Sequence, residues 1–279
     1  MKKKDVLHSP RILELKKGRR RVILNKIILS LIALALVFGG LIYASRIPSL
    51  NISQIKVNGN KVVEAEEIET VAKKELSGKY IWLFPRTNIL FYPKNNIRKE
   101  IQEKFKRLED VNVSLKSEGA LEISVTERTA SYIWCGDTPP VADSTEKPKC
   151  SFLDETGFIF DEAPYFSGEV YFKFYGVTIS ELDFEKLISF KKTLETMGLK
   201  PNALYAEKNG DIKIFLPSKN SSFTDPYIIF KSGDDFKDVM ENLEVALNTE
   251  PLLTNFKAKY SSLLYIDLRF GNKVVYKFK

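Results

Sequence analysis

Residues 27–44 read IILSLIALALVFGGLIYA, eighteen consecutive positions without a charge. As an α-helix rising 1.5 Å per residue the stretch is about 27 Å long, close to the hydrocarbon thickness of a bilayer. Three readings compete for it. A core helix of a soluble domain would carry a polar face, and only Ser30 and two glycines interrupt this run. A signal peptide has a shorter apolar region and a small-x-small cleavage site, which Ile42-Tyr43-Ala44 matches poorly. The expected reading is an uncleaved membrane anchor, with the signal peptide as its alternative.

The charges around this stretch support that reading. Residues 1–26 hold Lys2, Lys3, Lys4, Arg11, Lys16, Lys17, Arg19, Arg20, Arg21 and Lys26 against only Asp5 and Glu14. Arg46 follows the apolar run, and beyond it acidic residues slightly outnumber basic ones. The net charge of +7 therefore belongs to the flank of the apolar segment, which argues against nucleic acid as a partner. Lys and Arg before the span orient it with residues 1–26 in the cytoplasm and 46–279 outside, with Lys26 and Arg46 reaching the two interfaces. Residues 1–26, highly charged and without periodicity, are expected to be a flexible tail. Leu7, Ile12, Leu13 and Leu15 offer at most a transient amphipathic turn on anionic lipid.

Outward from the anchor, Ile52, Ile55 and Val57 mark a strand closed by Asn58-Gly59-Asn60. Glu64 to Leu76 is expected to be a helix, with Ala65, Ile68, Val71, Ala72 and Leu76 on one face and Ser77-Gly78 as its stop. The run Tyr80 to Tyr92 is broken by Pro85 and bounded by Pro93, so it forms no single regular element. A second helix starts at Pro93, repeats Ile97, Ile101 and Phe105, and closes its face with Leu108. Val111, Val113 and Leu115 alternate as one strand, and Leu121, Ile123 and Val125 as another, joined by a turn from Lys116 to Ala120 on Gly119. The order is β-α-α-β-β, two helices covering one face of a small sheet.

This order resembles the POTRA domain of proteins next to bacterial membranes. The pieces Ile55-x-Val57-x-Gly59-Asn60, Glu67-Ile68, Ile97 and Ile123-x-Val125-x-Glu127-Arg128 resemble the type found in the cell-division family FtsQ/DivIB. In that family the POTRA domain directly follows a single membrane helix. Two positions depart from the pattern: no Ser or Thr caps the first helix near Val63, and Leu108 stands where proline is common.

Past Arg128 strands are expected at Ala130–Trp134, Phe152-Leu153, Phe158–Phe160 and Val170–Tyr175. Asp154-Glu155-Thr156-Gly157 turns into the third of these. A helix from Asp183 to Met197 buries Phe184, Leu187, Ile188, Leu194 and Met197, and ends at Gly198. Leu204–Glu207 and Asp211–Leu216 flank Asn209-Gly210, a strong hairpin signal. Tyr227–Phe230 is a strand, and a helix from Asp234 to Leu247 presents Phe236, Val239, Met240, Leu243 and Leu247. Two alternating runs around Gly271-Asn272 make a terminal hairpin whose core residues are Leu264, Ile266 and Leu268. Tyr265-Ile-Asp-Leu-Arg-Phe-Gly-Asn272 resembles the C-terminal signature of FtsQ/DivIB, and the turn at Asp154 also fits that family's second domain. The expected fold is α+β: a bitopic membrane protein with a β-α-α-β-β POTRA domain, then a mixed domain of mainly antiparallel strands with two helices. The boundaries are 1–26 for the tail, 27–44 for the helix, 47–127 for POTRA and 128–279 for the β-domain.

No catalytic set is legible outside the anchor. The only histidine is His8, in the tail, so Ser-His-Asp and Cys-His chemistry and His-containing zinc sites are excluded from the outer domains. The pairs Asp234-Asp235 and Asp154-Glu155 fall at turn and cap positions, where Asp serves the backbone. Glu127-Arg128 reads as an ion pair orienting the junction between domains. No catalytic residue, metal or cofactor is expected. Cys135 and Cys150 frame a loop between two strands in an oxidisable compartment. A disulfide there would pin the hairpin; two separate thiols are the alternative.

The last strand is the expected functional surface, because an edge strand offers backbone groups to another chain. In the hairpin Val274 and Tyr276 face one side, Val275 and the stem of Lys277 the other. The family resemblance implies Phe270, Gly271, Asn272, Lys273, Val274, Val275 and Tyr276 as the docking site for FtsB-like and FtsL-like bitopic division proteins. It further implies a non-catalytic divisome scaffold in the cell membrane, enriched at the septum and linked to septal peptidoglycan synthesis. The alternative is a POTRA chaperone or docking module for protein export or envelope assembly. A membrane-anchored wall enzyme is the weakest reading, for want of a catalytic set.

Overall fold

A computed structural model describes residues 10–116, 119–140, 148–177, 179–217, 225–254 and 262–279. Lys2, Lys3, Lys4, Asp5, Leu7 and His8 lie outside the described residues, as do parts of the Lys116–Ala120 turn and of the loop between the cysteines. The chain divides into two compact units, Met1–Glu127 and Arg128–Lys279.

The first unit opens on α1, Pro10–Ser45, a continuous helix of 36 residues. Within it Val22–Ser45 is long and apolar enough to cross a membrane, and its most apolar window has no protein cover. That removes the core-helix reading. The expectation of a flexible tail through residue 26 is corrected from Pro10 onward. Extending a helix already nucleated by an apolar segment costs far less than starting one, and Leu, Lys, Arg and Glu are good helix formers. Pro10 suits the first turn, where its missing N–H has no helical partner.

After a short 3₁₀ turn at Pro48–Leu50 come β1 (Gln54–Asn58), α2 (Ala65–Leu76), β2 (Lys79–Tyr80), β3 (Phe84–Pro85), α3 (Lys94–Lys104), β4 (Leu108–Leu115) and β5 (Ala120–Glu127). The sheet runs β1-β5-β4, with β1 parallel to β5 and β5 antiparallel to β4. Ile68, Val71, Ala72 and Leu76 of α2 and Ile97 and Ile101 of α3 bury against Val111, Val113, Leu121, Ile123 and Val125. Leu108 joins this core as the first residue of β4, because α3 ends four residues earlier at Lys104. A Cβ at Gly59 would collide with the Val125 carbonyl, so only glycine permits the chain to leave β1 there.

The β2–β3 hairpin is tipped by Ile81-Trp82-Leu83, with the Leu83 N–H closing on the Tyr80 carbonyl at 3.0 Å. Ile81 and Trp82 hold φ of 47° and 62°. That conformation costs L-residues about 1–2 kcal/mol each and suits Gly or Asn instead.

Among the described residues the second unit forms a nine-stranded sheet. Its strands are β6 (Tyr132–Trp134), β7 (Cys150–Leu153), β8 (Ile159–Ala163), β9 (Lys173–Gly176), β10 (Ala203–Ala206), β11 (Asp211–Phe215), β12 (Tyr227–Lys231), β13 (Leu263–Phe270) and β14 (Lys273–Phe278). Their spatial order is β14-β13-β12-β11-β10-β9-β6-β7-β8. Three neighbouring pairs are parallel, β6/β9, β9/β10 and β12/β13; in the last two a helix carries the chain back, α4 (Glu181–Thr196) and α5 (Phe236–Leu247) respectively. Both helices pack on one sheet face. Phe184, Leu187, Phe190 and Leu194 of α4 and Val239 and Leu243 of α5 meet Leu204, Ile212, Ile214, Ile228 and Phe230. The opposite face carries a smaller cluster of Ile133, Cys135, Tyr175, Ala203 and Phe215. The fold class is α+β, with a candidate membrane helix, a POTRA unit and a strand-rich second unit.

Candidate partner-binding edge

The terminal hairpin is built from alternation and one irregularity. β13 pairs with β14 antiparallel, with register shifts between Leu263 and Tyr265 and again between Asp267 and Phe270. The first shift puts Leu263 into the helix-side core together with Ile266 and Leu268. Leu264, expected there from strict alternation, is only half-buried; an extra residue in a strand reverses the faces before it. Val274, Tyr276 and Phe278 of β14 pack on the same core, while Val275 and Lys277 lie on the other face and are exposed.

An ion network fastens this hairpin to the sheet. Arg269 forks onto Asp267, Nε to Oδ1 at 2.9 Å and Nη2 to Oδ2 at 2.6 Å, and its Nη1 reaches Asp211 Oδ2 on β11 at 2.7 Å. The guanidinium therefore crosses β12 to tie β13 to β11. Burial alone would raise the Asp267 carboxyl, but hydrogen bonds from the Arg269 side chain and N–H, with its charge, hold it below the ordinary range. The same bond to Asp267, then the one to Asp211, pushes Arg269 further up. Bidentate pairing of this kind fixes orientation as well as charge.

The seven candidate residues fall into three environments. Phe270 and Val275 are exposed apolar side chains, at 58% and 43%. Gly271, Asn272 and Lys273 form the exposed turn and the start of β14, and the Asn242 amide of α5 donates to the Gly271 carbonyl at 3.3 Å. Val274 and Tyr276 are committed to the core side. β14 is the outermost strand, bonded to β13 alone among the described strands. Its other edge can accept a strand from another chain.

The other expected residues also find places. Cys135 and Cys150 form a disulfide between the end of β6 and the start of β7. Asp235 caps α5 by accepting from the Lys237 N–H at 2.9 Å. Glu127 and Arg128 do not pair with each other, which corrects the expected ion pair. Consecutive residues of an extended chain point to opposite sides. Glu127 accepts from the backbone N–H groups of Lys61, Val62 and Val63 at 2.6, 2.9 and 3.0 Å, gripping the loop between β1 and α2. Burial would raise this carboxyl, but the three donors and the nearby Arg107 charge bring it below its ordinary value. Arg128 instead binds Asp154, with its guanidinium over the Phe158 ring at 4.3 Å. Asp154 also accepts from the Thr156 N–H and hydroxyl and from the Phe158 N–H; these donors outweigh burial and lower its pKa. A Cβ at Gly157 would lie 2.7 Å from the Phe184 ring, so the turn and α4 close together only on glycine.

Sequence reading missed Asp211 as the third member of the network and Asn88 beneath α1, since both act on residues distant in the chain. Among the described residues no group of three or more His, Cys, Asp or Glu is arranged to hold a metal ion.

Comparison with known families supplies the class. Residues 50–128 match the POTRA domain, FtsQ-type. The chain thus carries an FtsQ-type POTRA domain directly after one N-terminal apolar helix. Within it, Gly59 lies against the Val125 carbonyl and Glu127 accepts from the β1–α2 loop, so both hold that loop against β5. No curated protein matches the chain.

Proposed function

We propose that this protein is a non-catalytic cell-division scaffold of the FtsQ/DivIB type. Its α1 anchors it in the cell membrane with residues 1–26 cytoplasmic and both outer units extracytoplasmic, and the molecule gathers at the division septum. It binds FtsB-like and FtsL-like bitopic proteins by adding their chain to the free edge of β14, and so links early division proteins to septal peptidoglycan synthesis. The observation that carries the reading is the FtsQ-type POTRA domain immediately following an uncovered apolar helix. The exposed Val275 on an outermost strand supports the docking surface.

A fluorescent fusion to the full chain tests the role in cells. Enrichment at midcell in dividing cells is the expected result. A uniform envelope signal throughout the cell cycle would contradict it and favour a POTRA module serving export or envelope assembly.

A further inference from the structure

Between α2 and α3, four large apolar side chains stand in solvent: Ile81 at 84%, Trp82 at 88%, Leu90 at 73% and Phe91 at 56% exposed. The two pairs are linked through Phe84 beside the hairpin tip, whose ring lies 6.3 Å from that of Phe91. The patch is fixed to the end of α1. Asn88, buried to 1% exposure, donates from Nδ2 to the Ser45 carbonyl at 3.1 Å and accepts the Leu90 N–H on Oδ1 at 3.0 Å. Asn51 donates to the Ser45 and Ile47 carbonyls at 3.0 and 2.8 Å and accepts the Thr87 hydroxyl at 2.8 Å. β3 also packs on α1 with Cα atoms within 8 Å.

These distances decide where the patch sits. Ser45 ends the segment able to cross a membrane. The headgroup zone of each leaflet is about 5–8 Å thick, and two residues of chain span at most about 7 Å. Leu90 is two residues from Asn88, and Trp82 two residues from Phe84. Both loops therefore hang from the point where the apolar helix ends, close to the level that aromatic side chains prefer at a membrane surface. The hairpin tip pairs this exposure with two positive-φ residues that a solvent-facing turn would fill with Gly or Asn. Lys79 is exposed at the hairpin base, and the Arg86 guanidinium lies 5.2 Å over the Tyr80 ring, so cations flank the apolar tip.

We infer that the β2–β3 tip and the Leu90-Phe91 loop insert into the outer-leaflet interface of the bilayer. The POTRA unit then rests on phospholipid at a second point besides α1. The inference rests on the reading of α1 as an uncleaved anchor.

The test uses the full chain carrying Trp134→Phe, which leaves Trp82 as the sole tryptophan, in phosphatidylethanolamine–phosphatidylglycerol vesicles. Flotation after alkaline extraction comes first: a chain that fails to float overturns the anchor reading, and this inference with it. In chains that float, Trp82 emission should be blue-shifted, quenched by lipid brominated near the headgroup and protected from aqueous acrylamide. Full acrylamide quenching with no effect of bromine would overturn the insertion alone. Protection from both quenchers would overturn it too, by showing that a protein chain covers the tip. The reciprocal Trp82→Phe chain retains Trp134 and should lose the bromine quenching. Its difference from the unsubstituted protein yields the Trp82 signal even where Trp134→Phe perturbs folding.

Discussion

Glu127 and Arg128 are neighbours in sequence and act in opposite directions, each inside its own unit. Glu127 satisfies three backbone donors, and hydrogen bonds to a charged acceptor contribute about 1.5–3 kcal/mol. Glu127→Ala should therefore destabilise the first unit by about 1–3 kcal/mol, read by urea denaturation of the full chain in detergent, with the second unit's transition unmoved. Glu127, Asp154 and Asp267 are all held below their ordinary values. Their unfolded forms, with pKa values of about 4, take up protons before the folded ones do. The stabilisation they contribute is complete above that range and is lost as pH falls through it toward the folded values. Thermal melts should shift downward below about pH 4, and Asp267→Asn should flatten that acid slope for the second unit. A slope identical to that of the unsubstituted protein would refute the role of the Arg269 network. Asp267 and Arg269, two apart on a strand, share a face, so their pairing follows from strand geometry. Asp211 lies 58 residues from Arg269, and nothing local in the sequence brings it there.

At the scale of elements, the helices and paired strands were legible because their apolar residues recur at 3.6 or 2. α2, α3, α4 and α5 all fall within a few residues of the expected spans. What periodicity could not show is order across a sheet. Two of the parallel pairs, β9/β10 and β12/β13, depend on helices crossing back over the sheet, and the shift at Leu263 depends on one extra residue. The β2–β3 hairpin escaped for a different reason: Ile81 and Trp82 contradict the residue preferences of their own turn. Replacing them by Asn and Gly should relieve part of the strain and, after the added unfolded-state entropy of Gly, stabilise the detergent-solubilised chain by about 1–2 kcal/mol, measured by chemical denaturation. Loss of stability would mean that the exposed side chains contribute to the fold. The disulfide joins residues 15 apart, so a Cys135→Ser, Cys150→Ser chain should lose about 3 kcal/mol in the second unit alone. No change in its denaturation midpoint would contradict that contribution.

For the whole molecule, the basic flank, the apolar helix and the folded units after it were separable from composition alone, since the excess positive charge sits on one flank of that helix. The FtsQ-type POTRA domain follows that helix, and a sheet with an open edge at β14 forms the second unit. The scaffold reading predicts that partners are captured, and it places their docking at that edge. The most direct test is capture of FtsB-like and FtsL-like bitopic proteins by the detergent-solubilised full chain, compared with a Val275→Glu variant whose disulfide and melting profile are intact. The unsubstituted chain should retain both partners, and the variant should bind at least about tenfold more weakly, a loss of about 1.4 kcal/mol. Equal capture by the variant would remove β14 from the interface, and no capture by either chain would contradict the scaffold itself.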